Sequence, residues 1–117
     1  LEMLSVVKGI PVVFHCFSYG LDEMRQVLGR GYYVSFALNM FKNSALDECI
    51  RQVPRERLLL ETDCPYMYFN KRESTPLHIK EVVRNAARLR AVDEADITRQ
   101  LIENCVTLFS LAKEDFL

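Results

Sequence analysis

The sequence predicts an α/β fold in which about three parallel strands are covered by flanking helices. Three short β-rich runs alternate with segments whose apolar residues recur at helical spacing. The runs are apolar nearly throughout, which is typical of parallel strands buried on both faces. The chain has 117 residues, whereas a full β/α barrel typically needs about 250. The pattern therefore fits either a small three-stranded domain or a portion of a larger barrel.

The first two strands and the helix between them are expected within residues 12–37. Residues 12–14 form the first β-rich run, directly after a proline. Residues 21–28 carry apolar side chains at helical spacing, and Gly29 and Gly31 are expected to end this helix. Residues 32–37 form the second run.

The second half of the chain adds one strand and three helices. A helix is expected to begin near Asn43 and to stop at Pro54. Residues 58–61 form the third strand. Thr75, followed by proline, has the signature of an N-cap for the next helix, and Asp93 is expected to cap a last long helix.

The bulk composition excludes several classes of protein. With 15 basic and 16 acidic residues the formal net charge is −1, so any binding of phosphates must be local. No apolar stretch approaches the roughly 20 residues of a membrane span, and no secretory signal pattern opens the chain. The four cysteines form no Cys-x-x-Cys pair, which favours reduced cytosolic thiols over a zinc knuckle or disulfides.

Three titratable residues stand at the ends of predicted strands. His15 ends the first strand, and Asp63 takes the equivalent place after the third. Function lies at the carboxyl ends of strands in parallel α/β folds. Glu61 and Asp63 point to one face of an extended chain, and two carboxylates there repel each other unless a cation is present. A divalent metal bound by His15 and Asp63 is one answer. The alternatives are a structural His15, an Asp63 that caps a turn, and a Glu61 that pairs with an arginine.

Alternate strands of a β/α barrel contribute side chains to the same layer. His15 and Asp63 follow the first and third strands, so we expect them to meet near the barrel axis. Ser35, on the intervening strand, is either a polar neighbour of that site or an ordinary half-buried serine. Lys42 and Arg72 lie in loops on the same rim. They are candidates for contacts with substrate phosphates, or they are simply solvated.

Three strings of residues resemble the TatD family of metal-dependent deoxyribonucleases. They are His15-Cys16-Phe17-Ser18, residues 31–36, and residues 57–66, which end in Glu61-Thr62-Asp63-Cys64-Pro65-Tyr66. The resemblance extends over essentially the whole chain. It implies that residues 1–117 are a single partial domain, the C-terminal part of a TIM-type (β/α)8 barrel of the metal-dependent hydrolase superfamily. It also implies divalent metal ions (Mg, Mn or Zn) and the hydrolysis of phosphodiester bonds in DNA.

The resemblance also implies roles for individual residues. By matching position, His15 and Asp63 would be metal ligands. Asp63 would also be the catalytic carboxylate that orients or deprotonates a water, and Glu61 would hold the ligands in place. The His-x-His pair and the other ligands that the family carries on earlier strands are absent here, so we expect the isolated chain to be weak or inactive. Tyr19 is a further departure, because the family usually has glycine at that point.

Two other functions stay open from the sequence. The same barrel could hydrolyse an amide, an ester or a cyclic amide of a small molecule. The chain could also be a non-catalytic fragment that self-associates or complements the N-terminal half of a barrel, because three strands leave open sheet edges and apolar faces. We expect no membrane partner and a cytoplasmic location.

Overall fold

The sheet consists of three parallel strands in the order in which they occur along the chain. These strands are β1 (Val13–Phe14), β2 (Tyr33–Phe36) and β3 (Leu58–Leu60). They belong to a computed structural model that describes residues 11–62, 68–69, 72–73 and 75–116. The predicted α/β fold with three parallel strands is confirmed.

The central strand β2 is the most deeply buried element of the sheet. All four of its residues are buried, and Val34 and Phe36 have no exposed surface. The backbone N–H of Tyr33 donates to the carbonyl of Val12 on one side, at 2.9 Å, and the carbonyl of Phe36 accepts from the N–H of Glu61 on the other, also at 2.9 Å. Strands of a parallel sheet need apolar residues on both faces, which explains why no polar–apolar alternation is seen.

Four α-helices accompany the strands: α1 (Leu21–Gly29), α2 (Leu46–Gln52), α3 (Ile79–Arg90) and α4 (Glu94–Phe116). Gly31 has a φ angle of 78°, a conformation that glycine adopts readily, and it lets the chain turn from α1 into β2. The helices contribute fully or almost fully buried apolar side chains to one core with the sheet. These include Met24, Val27, Leu46, Cys49, Ile50, Val82 and Ala86.

Two predicted helix starts are wrong in detail. The helix expected near Asn43 begins at Leu46, because the Asn43 side chain closes a turn by accepting the N–H of Ala45 at 3.1 Å. Thr75 does not cap α3. A short 3-10 helix, Pro76–His78, comes first, and the His78 ring nitrogen Nδ1 accepts the Thr75 N–H at 3.1 Å. The helix after Asp93 begins at Glu94, as predicted.

The side chains of the partly buried Arg90 and the buried Asn104 attach the outer helices to the rest of the fold. Arg90, on α3, donates from Nη1 to the carbonyls of Ile50 at 2.8 Å and Val53 at 2.6 Å, at the end of α2. Asn104, on α4, donates from Nδ2 to the carbonyls of Arg55 at 2.6 Å and Leu58 at 2.8 Å. These bonds satisfy carbonyls that would otherwise be buried without a partner.

A two-stranded antiparallel sheet lies between β3 and α3 along the chain. It pairs β4 (Tyr68–Phe69) with β5 (Arg72–Glu73), and the sequence pattern did not indicate it. Arg72, a predicted substrate contact, lies on β5. A helix that could cross a membrane is not found among the parts of the chain that the structure describes.

Candidate active site

The carboxyl ends of β1 and β3 bring His15 and Glu61 together, although they are 46 residues apart in sequence. Because the strands are parallel, their carboxyl ends lie at the same edge of the sheet. His15 directly follows β1, and Glu61 directly follows β3. The bond from the Glu61 N–H to Phe36 continues the β2–β3 pairing to this residue and thereby fixes the place of its side chain.

The Glu61 carboxylate uses both of its oxygens to hold the turn that follows β1. Oε1 lies 2.8 Å from Nδ1 of His15, and Oε2 accepts the backbone N–H of Cys16 at 3.1 Å. The Glu61 side chain is 24% exposed, whereas that of His15 is 64% exposed. The carboxylate is therefore the sheltered partner of the pair, and the imidazole stands at the surface. This pairing contradicts the alternative in which Glu61 pairs with an arginine.

The turn that carries His15 has a constrained backbone. Cys16 has a φ angle of 51°, in the left-handed region that residues other than glycine seldom adopt. Its N–H is held by Glu61, and the N–H of the next residue, Phe17, donates to the carbonyl of Ser35 at 2.8 Å. The Phe17 side chain is buried and meets the Phe36 ring edge to face, with centroids 5.8 Å apart. Backbone conformations of this kind persist only where the surroundings hold them, and they cluster at functional sites.

The chemistry of this pair fits one part of a site for a divalent metal. A histidine that donates its Nδ1–H to a carboxylate presents Nε2, the other ring nitrogen, as the metal-binding atom. In the described ranges, no group of three His, Cys, Asp or Glu side chains lies close enough to hold a metal ion. Asp63, the second predicted ligand, lies outside the described residues.

The remaining predicted site residues occupy different surroundings. Ser35 lies on β2 and is 3% exposed, and its carbonyl binds the turn after β1. Lys42 is exposed and follows a 3-10 helix, Leu38–Phe41, that comes after β2. Arg72 lies on β5. Contacts of these residues with a substrate stay predictions.

Asn39 is a structural residue of the rim that the sequence pattern did not indicate. Its side-chain Nδ2 donates to the carbonyl of Phe17 at 3.0 Å. Phe17 belongs to the loop after β1 and Asn39 to the 3-10 helix after β2, so this bond joins the two segments. No local signal predicts a bond between residues 22 positions apart.

A cavity of about 610 Å³ lies between α3 and α4, and neither His15 nor Glu61 is among its lining residues. We call it the outer groove. Its lining includes Leu60 and mostly apolar side chains of the two helices: Ile79, Val83, Leu101, Ile102, Cys105, Val106 and Phe109, with Lys80, Arg84, Glu94 and Thr98. The groove is thus an apolar surface without a cluster of metal-binding groups.

Comparison with known proteins identifies the family to which the chain belongs. The family described as TatD related DNase matches residues 1–110. The chain belongs to this family. The resemblance found in the strings around His15 and Glu61 is confirmed.

Two curated relatives show how much of a family member this chain represents. It is 30% identical over 109 residues to the uncharacterized metal-dependent hydrolase YabD of Bacillus subtilis, an alignment that covers 89% of this chain and 43% of YabD. It is 28% identical over 110 residues to the 3'-5' ssDNA/RNA exonuclease TatD of Escherichia coli, covering 86% of this chain and 42% of TatD. The chain therefore spans less than half the length of these relatives.

Solved structures agree on the fold. The hydrolase TatD family protein of Entamoeba histolytica superposes with a TM-score of 0.79 at 21% identity, covering 92% of this chain and 44% of that protein. The TatD homologue YJJV of Escherichia coli superposes with a TM-score of 0.75 at 27% identity, covering 82% of this chain and 39% of YJJV. The three strands and their helices thus correspond to part of the α/β barrel of these larger hydrolases.

Proposed function

We propose that this chain provides the histidine–carboxylate part of a divalent metal site in an enzyme that hydrolyses phosphodiester bonds of nucleic acid. The observation that carries the proposal is the Glu61 carboxylate, which binds Nδ1 of His15 at 2.8 Å and the Cys16 N–H at 3.1 Å. A carboxylate in this position fixes the tautomer and the orientation of a metal-binding imidazole.

Each residue of the proposed site has a distinct task. His15 would bind the metal through Nε2, and Asp63 would bind it through its carboxylate and orient the attacking water. Glu61 already uses both oxygens on His15 and Cys16, so we assign it a positioning role and not direct contact with the reacting atoms. A bound Mg²⁺, Mn²⁺ or Zn²⁺ supplies a more acidic water and neutralises charge on the phosphate.

The choice of nucleic acid as substrate comes from the relatives. The matched Escherichia coli protein carries the name 3'-5' ssDNA/RNA exonuclease TatD. The family resemblance of this chain includes the strings at the ends of β1 and β3, around His15 and Glu61. DNA is the substrate we propose, with RNA as the second nucleic acid to be tested. Because the chain covers 42% of that relative, we expect its own cleavage activity to be weak or absent, since two protein ligands seldom hold a catalytic metal.

The proposal is tested by measuring metal binding and strand cleavage separately. Isothermal titration calorimetry with Mn²⁺ and Zn²⁺ reports binding, and a labelled single strand of DNA reports cleavage. We expect His15→Ala and Asp63→Ala each to weaken metal binding by at least about tenfold. We expect Glu61→Gln to weaken it less, because the amide still accepts one hydrogen bond but loses the charge that polarises the imidazole.

The matched control is His78→Ala, since His78 is the other of the two histidines and lies beside α3. This variant should bind metal as the unsubstituted chain does. If His15→Ala and His78→Ala bind equally well, His15 is not a ligand and the proposed site is wrong.

Three of the expectations from the sequence stay predictions. They are the cytoplasmic location, self-association, and complementation by an N-terminal half of the barrel. The hydrolysis of small amides stays a prediction as well.

A further inference from the structure

Two segments follow β1 and β2 at the edge of the sheet that carries the candidate site. We call them the rim loops: residues 15–20 after β1, and residues 37–42 after β2, which include the 3-10 helix Leu38–Phe41. They are joined by the bond from Asn39 Nδ2 to the Phe17 carbonyl, at 3.0 Å. Residues that flank these two anchor points are therefore neighbours in space. The first loop carries His15 at its start and Tyr19 near its end.

Tyr19 is an exposed aromatic residue with a rigid support. It is 59% exposed, and its ring meets the buried Phe17 ring edge to face, with centroids 5.7 Å apart and planes at 71°. Phe17 in turn packs against Phe36 in the core. The edge-to-face contact with Phe17 limits the orientations of the exposed Tyr19 ring. The ring therefore loses little conformational entropy when a ligand binds to it.

The second rim loop adds an aromatic ring and a positive charge. Phe41 is 43% exposed and is directly followed by the exposed Lys42. Exposed rings beside a lysine are the combination by which proteins bind single-stranded nucleic acid, because any unpaired base can stack on a ring while the lysine neutralises a phosphate. Duplex DNA does not offer this contact, since its bases are already stacked on one another.

We propose that Tyr19 is the platform on which an unpaired base of the substrate stacks as the strand approaches the His15–Glu61 pair, with Lys42 contacting the backbone. The proposal rests on the proposed action on nucleic acid and names the residue that holds a base of the strand.

The chain offers a direct optical test, because it contains no tryptophan. Tyr19→Trp places a single indole at the proposed platform. Titration with a short single strand of deoxythymidine, in EDTA so that no metal supports cleavage, should quench the tryptophan fluorescence as bases stack on the ring. The same sequence presented as a duplex should leave the fluorescence unchanged.

Affinity measurements by fluorescence anisotropy complete the test. Tyr19→Ala should weaken binding of the single strand about fivefold or more, and Tyr19→Phe should retain the affinity, because stacking needs the ring and not the hydroxyl. Lys42→Ala should lower the dependence of log affinity on log salt by about one unit. The matched control is Phe109→Ala, which removes another exposed ring, 72% exposed, from the outer groove and should leave binding unchanged.

The possible results separate this proposal from the function on which it rests. If the unsubstituted chain binds the strand but Tyr19→Ala binds equally well, or the strand binds Tyr19→Trp without quenching, the platform is overturned and the nuclease proposal is unaffected. If the unsubstituted chain binds no single strand, the platform is overturned together with the assignment of nucleic acid as substrate. Metal binding by His15 is judged by calorimetry alone.

Discussion

The rim and the outer groove differ in polarity and in the way in which their side chains are held. The groove, with a volume of about 610 Å³, is lined mainly by apolar groups of α3 and α4. The rim has a histidine, a carboxylate and a constrained backbone turn, each bound to a residue far away in sequence. Preorganised hydrogen bonds hold reactive groups in a fixed geometry, and the rim has such bonds between distant elements. In this chain the candidate catalytic groups therefore lie at the strand ends and not in the outer groove.

The largest expected effect concerns the support beneath the rim. Phe36 ends β2, has no exposed surface and contacts the Phe17 ring. Phe36→Ala should reduce the free energy of unfolding by about 3–5 kcal/mol, or unfold the chain outright, because it removes buried area and leaves a cavity. Urea denaturation followed by circular dichroism measures this. A loss below about 1 kcal/mol would mean that the rim does not depend on this part of the core.

The next effect concerns Asn104, which attaches α4 to the beginning of β3. Asn104 is 4% exposed on α4, the helix that lines the groove, and donates to the carbonyls of Arg55 and Leu58. Asn104→Ala should cost about 1–3 kcal/mol, because two backbone carbonyls lose their donor. The exposed neighbour Thr107 is the control, and Thr107→Ala should change the stability by less than about 0.5 kcal/mol. Equal effects of the two changes would contradict the role of the Asn104 amide.

The cysteines distinguish the core from the groove by their reactivity. Cys49 is completely buried on α2, and Cys105 is exposed in the groove lining. Burial raises the pKa of the Cys49 thiol, and the carboxylates of Glu23 and Glu48 raise it further. Iodoacetamide at pH 8 should label Cys105 on the order of 100-fold faster than Cys49, which reacts only when the structure opens. Peptide mapping by mass spectrometry gives both rates.

The raised pKa of Cys49 also makes the stability of the chain depend on pH. The pKa of Cys49 is higher in the folded than in the unfolded chain, so the contribution of this thiol is fully present below its ordinary value of 9.0 and is lost as the pH rises through the raised value. Stability should therefore fall more steeply above pH 9 in the unsubstituted chain than in Cys49→Ala. Parallel slopes for the two proteins would mean that Cys49 ionises as easily in the folded state as in the unfolded one.

The smallest expected effect concerns the groove itself. Phe109 is 72% exposed, so Phe109→Ala removes a ring that already faces solvent. We expect a change in unfolding free energy within about 0.5 kcal/mol, against several kcal/mol for the buried Phe36. A cost above about 2 kcal/mol would show that the groove is covered in solution, and sedimentation analysis would then show whether a second copy covers it.

Features that depend on local pattern were predicted well. The three strands follow from short apolar runs, and α1 follows from helical spacing and from the two glycines near its end. The start of α2 was placed too early, because the pattern does not show that the Asn43 side chain closes a turn with Ala45. The start of α3 was misplaced for a similar reason, since Thr75 donates its N–H to the ring of His78.

Features that depend on distant contacts were predicted only in part. The strand order predicts that His15 meets Asp63, which lies outside the described residues. That Glu61 holds the ligands came only from the family resemblance. The residue pattern alone left an ion pair of Glu61 with arginine open, and it did not indicate the two bonds of Glu61 to the His15 ring and the Cys16 N–H. The amides of Asn39 and Asn104 were missed altogether. Their partners lie 22 and 46–49 residues away, and a single polar residue in an apolar pattern gives no indication of its partner.

The Asn104 amide also affects the open edge of β3. Unpaired backbone groups along a strand edge are a template on which another molecule can extend a sheet and begin aggregation. In this fold a side chain from α4 occupies the Leu58 carbonyl, so an incoming strand must first displace the amide from that acceptor. The helix thus blocks one acceptor of β3, at a point where the strand pattern alone leaves the sheet open.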